Sequence, residues 1–320
     1  MKILDAHCDA LYKLQLAKRG KYYNQQALSF TDGPELDTNL ERLHKGRYYT
    51  QFFALFLEPD IPSDEKWQHL LEQIDLFHTE VLAKHPQMKH IKKWTDFDDL
   101  QDGEIGAVLT LEGADPFGND LTRLRQLYRE GILSFGLTWN NANLCADGAG
   151  EPRGGGLTLF GKEVVALNNE HLVFTDVSHS TVKGFWDIME HADFVIASHS
   201  NVRALCEHPR NLYDDQIKAL FDKKGLMHVV FNPPFINKGS EVATIDDLIK
   251  HIDYLCELGG VKQIGFGSDF DGISTYVKDL EHAGKYENLI NELLKRYSEE
   301  DVKGFAQQNF LDHRPHLLRK

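Results

Sequence analysis

Short apolar runs rich in β-branched and aromatic residues alternate with longer segments of helical periodicity along the whole chain. Runs at 2–7, 49–57, 105–112, 133–139, 172–178, 194–199, 226–231 and 263–268 predict strands. Between them, 64–83, 120–130, 161–169, 214–223 and 244–258 predict helices. The last shows the rule, with Ile245, Leu248, Ile249, Ile252 and Leu255 on one helical face. Eight strands separated by crossovers of helical character call for parallel pairing and predict a (β/α)8 TIM-type barrel. A doubly wound open sheet gives a similar alternation, so the count alone leaves that α/β alternative standing.

No Pro- or Ser-rich linker and no repeat of fixed period divides the sequence, which reads as a single barrel domain over residues 1–320. The Gly-rich stretch 148–156 reads as a flexible loop after the fourth strand. From about Lys285 onward the chain is helical and charged, and Ser298-Glu-Glu-Asp resembles a capping box. These extra C-terminal helices are expected on the outside of the barrel.

Polar residues at the strand ends change the picture from fold to chemistry. His7 and Asp9 end the first run, two apart, so an extended backbone points both to one side. Glu112 ends the third, His179 the fifth, His199 the sixth and Asp269 the eighth. A barrel brings all these ends to one face, where barrel enzymes keep their active sites. Clustered ionisable groups beside apolar strands are costly unless they pair or hold a metal. Three histidines with aspartate and glutamate suit zinc or a similar divalent ion. Five ligands exceed the needs of one tetrahedral zinc with an open position, so two metals sharing Glu112 are expected, with His7 and Asp9 on one and His179 and His199 on the other. Two adjacent metals lower the pKa of a shared water and polarise a carbonyl, which is the equipment of hydrolysis.

Charge and composition narrow the partners. With 35 Lys+Arg against 49 Asp+Glu the formal charge is −14, which repels phosphate backbones, and no basic patch offsets it. The start, MKILDAHCDALYK, lacks a signal-length apolar run, and no window approaches the roughly 18–20 apolar residues of a membrane span. Cys8, Cys145, Cys206 and Cys256 are scattered without a CxxC pair, which fits a reducing, cytoplasmic setting. Nucleic acid and membrane are therefore not expected partners.

The segments LDAHCDALY, LEGADPF, GLTLFGKEVVALNNEHLVFTDVSHST, ASHSNVRALCEHPRN and GFGSDFDG, in that order, resemble the motifs of the membrane dipeptidase (renal dipeptidase) family from residue 5 to about 311. The resemblance implies a barrel metallopeptidase with two zinc ions per chain. It assigns His7 and Asp9 to the first metal, Glu112 to the bridge, and His179 and His199 to the second. It adds Arg210, in HPRN, as a contact for the peptide carboxylate, which a guanidinium can hold bidentately. Asp269 becomes the proton shuttle between attacking water and leaving amine. The implied substrate is a dipeptide, with a C-terminal D-residue among those accepted, and a homodimer is the implied assembly.

Two positions depart from the family: a minor one at Ala306-Gln-Gln-Asn309, where it usually has glycines before the Asn, and one that bears on chemistry. The family's dipeptidases carry Leu-Thr-His after the fourth strand, where the His contacts substrate and the developing oxyanion. Here GLTWNNAN places Trp139, whose indole offers one N–H and no acceptor or positive charge. Losing one oxyanion donor typically costs on the order of 10²–10³ in rate. The alternatives to a dipeptidase are a dinuclear hydrolase of another small amide or ester, and a catalytically silent metal-bearing binding protein. Other signals fail: Gly265-Phe-Gly267 lacks a dinucleotide fingerprint, Gly161-Lys162-Glu163 is no phosphate loop, and Asp269-Phe-Asp271-Gly272 lacks the rest of a calcium loop. Cys8 alternates away from the ligands, and His191, His208, His228 and His251 read as structural.

Overall fold

The computed structural model describes residues 1–21 and 27–318. Among the described residues nine strands form one parallel sheet: β1 Ile3–Asp5, β2 Tyr48–Phe56, β3 Met88–His90, β4 Ile105–Glu112, β5 Ile132–Gly136, β6 Phe174–Asp176, β7 Val195–Ala197, β8 Leu226–Val229 and β9 Ile264–Phe266. The hydrogen-bonded order β2-β1-β9-β8-β7-β6-β5-β4 closes through a β2–β4 pairing from Thr50↔Gly106 to Phe56↔Glu112. That closure makes an eight-stranded (β/α)8 barrel and removes the open-sheet alternative. β3 lies outside the ring. It pairs with the first half of β4, Met88↔Ile105 to His90↔Ala107, and β5 takes the second half from Leu109↔Ile132 onward.

The predicted strands 105–112 and 49–57 match the observed β4 and β2 in length, while the other six are longer than the observed ones, because the chain leaves the ladder early. β1 stops at Asp5, so His7 and Asp9 stand on irregular backbone beyond it. Only Glu112, the last residue of β4, lies within a strand. The helices follow their sequence signals closely. Leu121–Glu130 starts where the Asp120 carboxylate accepts from the Thr122 N–H and ends at Gly131 in the left-handed region. Ile245–Glu257 carries a reciprocal capping box between Thr244 and Asp247. The predicted helix 64–83 is α-helical over Lys66–Leu76 and continues as a π-helical turn over Phe77–Leu82.

The larger apolar core lies between the strands and the surrounding helices, and Cys8 is fully buried in it. A second cluster fills the barrel interior. It takes Leu4, Phe52, Val108, Leu133, Phe174, Ile196 and Leu226, one from each of seven ring strands, and adds Trp94, Phe97 and Phe310. Here the expectation for the tail is corrected. The apolar N-terminal ends of the ring strands need a cover, and Phe310 supplies it, with ring centroids 5.2 Å from Phe52 and 6.0 Å from Phe174. The Asn309 amide fixes the plug by donating to the carbonyls of Val261 and Ile264, both at 2.9 Å.

The Gly-rich stretch is likewise pinned and not a free loop. Asp147 accepts from Arg153 Nε at 2.6 Å and from the Gly155 N–H at 2.8 Å, and the Ala149 N–H donates to the carbonyl of His179 at 2.8 Å. A Cβ on Gly148 would stand 2.1 Å from the Trp139 carbonyl oxygen. Glycine is there for close approach to the backbone beneath the site.

Candidate metal centre and active site

The C-terminal ends of the ring strands bring the predicted residues together. His7 Nε2 lies 3.4 Å from Asp9 Oδ2, 3.7 Å from Glu112 Oε2 and 3.7 Å from Asp269 Oδ1. Glu112 turns its other oxygen the opposite way: Oε1 is 2.8 Å from His179 Nε2 and 3.5 Å from His199 Nε2. One carboxylate therefore faces two groups of ligand atoms. The sets His7, Glu112, His199 and His7, Asp9, Asp269 each gather their ligand atoms within 4.8 Å of one another.

Neighbours fix how these atoms present themselves. The Asn140 amide oxygen accepts from His179 Nδ1 at 2.9 Å. Ser198 Oγ donates to Asp176 Oδ2, so its lone pair accepts from His199 Nδ1 at 2.7 Å. Asp176 is in turn held by the backbone N–H groups of Ser178 and Ser198, both at 3.0 Å. With both Nδ1 atoms protonated, both Nε2 lone pairs point inward. Asn140, Asp176 and Ser198 were not found by sequence reasoning; the Ser before His in both VSHS and ASHS was the available signal.

The loop after β9 is built for close packing. Asp269 and Asp271 adopt φ of 65° and 70°, in the left-handed region that costs non-glycine residues energy. A Cβ on Gly272 would stand 2.2 Å from Asp9 Oδ2 and 2.7 Å from Asp269 Oδ1. Asp271 accepts from the backbone N–H groups of Asp37 and Thr38 at 2.7 and 2.9 Å. The DFDG segment is thus one catalytic candidate, one tether and one clearance for two carboxylates.

The donor set fits divalent metal on three counts. His7 Nε2 and Asp9 Oδ1 are buried with no hydrogen-bond partner among the described residues. The cluster's electrostatics pull in opposite directions, and a divalent cation would relieve both. Burial lowers the His7 pKa, but Glu112, Asp9 and Asp269 overcome that and raise it. Burial raises the carboxyls of Glu112 and Asp269 against the pull of His7. Burial holds His179 and His199 well below the usual imidazole value, with Arg210 and His7 adding to the effect. Finally, the imidazoles and carboxylates are the ligand types zinc takes.

Arg210 and Trp139 line the same cavity of about 250 Å³, with Asp9, Glu112, His179 and Asp269. Arg210 is buried. Its Nη2 donates to His179 Nε2 at 3.0 Å and to the His199 carbonyl at 3.3 Å, and its Nη1 to the Ser178 carbonyl. Burial lowers its pKa to about 10, which leaves it cationic at neutral pH. Trp139 is half-buried, its ring 6.0 Å from that of His179 and 5.4 Å from that of Phe56.

A family model described as membrane dipeptidase (peptidase family M19) matches residues 1–312. The chain belongs to the membrane dipeptidase family. It is 32% identical over 97% of its length to an uncharacterized dipeptidase of Schizosaccharomyces pombe, covering 79% of that protein. Dipeptidase aclJ of Aspergillus oryzae is also 32% identical, over 88% of this chain and 71% of its own. A crystal structure of a Rhodobacter sphaeroides metallopeptidase, liganded with a phosphinate mimic of the dipeptide L-Ala-D-Ala, superposes with a TM-score of 0.86. It is 23% identical and the match covers 98% of this chain and 99% of that one. The M19 protein described here is a hydrolase acting on peptide bonds, in a family of metal-dependent dipeptidases. Membership sets aside the silent binding protein. Among the described residues no helix is long and apolar enough to cross a membrane, and the four cysteines are free thiols.

Proposed function

We propose that residues 1–320 form one barrel domain that cleaves dipeptides with two zinc ions, and that a C-terminal D-residue is accepted. The observation that carries this reading is Glu112, whose two oxygens face separate ligand groups. In it, His7 and Asp9 would hold one zinc, His179 and His199 the other, and Glu112 would be shared between them. Bound zinc would lower the pKa of the attacking water and polarise the scissile carbonyl.

The remaining work falls to the chain's own groups. Arg210 is braced by the carbonyls of Ser178 and His199 and pairs with the substrate carboxylate. Asp269, held beside His7 and Asp9, takes a proton from the attacking water and passes it to the leaving amine. Trp139 walls the cavity beside His179 and presents a single N–H to the substrate. Free thiols support a cytoplasmic location, and the family resemblance supports a homodimer.

Trp139 also favours a second reading, in which the same centre acts on another small amide or ester. Metal content and cleavage of a dipeptide panel that includes L-X–D-Y peptides, measured on one purified sample, separate the two. Two zinc ions with cleavage are expected. Two zinc ions without cleavage of any dipeptide would overturn the dipeptidase reading in favour of the other substrates.

A further inference from the structure

Across the cleft from Arg210 stands a wall of different chemistry. In the closed ring β2-β1-β9-β8-β7-β6-β5-β4, β2 and β7 are four places apart and face each other. Arg210 follows β7, and Glu58 lies two residues beyond the end of β2. Tyr12, on the helix Ala10–Lys18, donates its hydroxyl to Glu58 Oε1. The Tyr12 ring meets Phe56 edge-on at 5.2 Å, and Phe56 meets Trp139 at 5.4 Å. All four side chains line the cavity.

Glu58 is the uncommitted charge of this wall. Asp9, Glu112 and Asp269 face the ligand cluster, and Asp271 pairs with Lys13 at 3.0 Å. Glu58 is half-buried and has no cationic partner within 4.0 Å among the described residues. Burial, then Glu58 and more weakly Asp9 and Asp60, push the Tyr12 phenol above its usual range, so it stays a donor and holds the carboxylate in place. A fixed carboxylate flanked by aromatic rings is a receptor for a cation, through a charge-assisted hydrogen bond and the ring faces together.

We propose that the β2 wall is a subsite for a cationic side chain on the N-terminal residue of the dipeptide, with Glu58 as its ion-pair partner. This rests on the dipeptidase reading, in which Arg210 takes the C-terminal carboxylate and the N-terminal residue extends towards β2. Lysine and arginine fit there. An acidic side chain meets repulsion, which adds to the selectivity.

The test uses the full-length zinc-loaded enzyme with Lys-Ala, Ala-Ala and Glu-Ala, and calorimetric binding of phosphinate analogues of Lys-Ala and Ala-Ala. Wild type is expected to favour Lys-Ala over Ala-Ala about tenfold in kcat/KM and in Kd. Glu58→Gln is expected to bring that ratio close to one, and Glu58→Lys to invert the preference towards Glu-Ala, a gain that misfolding cannot produce. Equal handling of Lys-Ala and Ala-Ala by wild type overturns the subsite. So does an equal loss on both in Glu58→Gln, which assigns Glu58 to the α-ammonium that every dipeptide carries. Cleavage without charge preference removes this inference alone, whereas no cleavage and no analogue binding removes the dipeptidase reading beneath it.

Discussion

The Nε2 atoms of His179 and His199 lie 3.1 Å apart with both lone pairs directed inward. Two acceptors at that distance repel unless a cation stands near both, and their orientation comes from Asn140 on one ring and Ser198 on the other. Removing such an outer partner typically costs 10–100-fold in metal affinity. Ser198→Ala is expected to weaken zinc binding by that order while leaving the fold intact. Competition with a fluorescent chelator measures it, and unchanged affinity would remove Ser198 from the centre.

Among the described residues, Glu112 is the only carboxylate within 4.0 Å of both His7 and the His179–His199 pair. Glu112→Gln is therefore expected to bring zinc content from two per chain to below one, and Asp9→Asn to leave about one. Elemental analysis after dialysis reads both. Retention of two zinc ions in Glu112→Gln would show that the metals do not share it.

Asp269 sits on strained backbone beside His7 and Asp9. Asp269→Asn keeps the shape and removes the base, and general-base removal typically costs 10²–10⁴ in rate. The expected variant holds full metal and loses kcat by that order. Unchanged kcat at full metal content would sink the proton-shuttle role.

The family resemblance implies a histidine at the place where Trp139 stands. Trp139→His is expected to raise kcat on Ala-Ala by roughly 10²-fold, the scale of one oxyanion donor. A KM change without a kcat change would make the indole a wall of the cleft and nothing more.

Away from the candidate metal centre, His251 accepts from the Val202 N–H at its Nδ1 and reaches the Ile236 carbonyl from its Nε2. That pairing needs the neutral ring, and burial lowers its pKa to about 4. Because the folded value lies below the unfolded one near 6.5, the unfolded state binds more protons below that pH. The contribution is complete above pH 6.5 and falls away as pH drops towards 4. About 2 kcal/mol is expected to go between pH 7 and pH 5. His251→Asn, which keeps an acceptor for Val202, should flatten the decline of Tm over that interval in calorimetry.

The convergence of the candidate ligand positions was legible because each is an ionisable residue set against an apolar run, a contrast that survives without any structure. His7 and Asp9 converge although β1 stops at Asp5, since the backbone beyond it keeps their side chains together. Asn140, Ser198 and Asp176 were not legible: small polar residues occur throughout loops, and only their contacts give them meaning. β3 escaped because the segment Met88-Lys-His90 is too short and polar for a periodicity to show. Phe310 reads as one more apolar helix residue, and nothing in its spacing says that it enters the barrel.

That aromatic plug has a consequence for turnover. With Phe310 as a floor among the described residues, the cavity opens on the opposite side, where the loops surround the candidate metal ligands. A dipeptide enters and two amino acids depart through the same opening. The product nearer the mouth must clear before the deeper one can follow, and either amino acid, once abundant, competes with the next dipeptide for that passage.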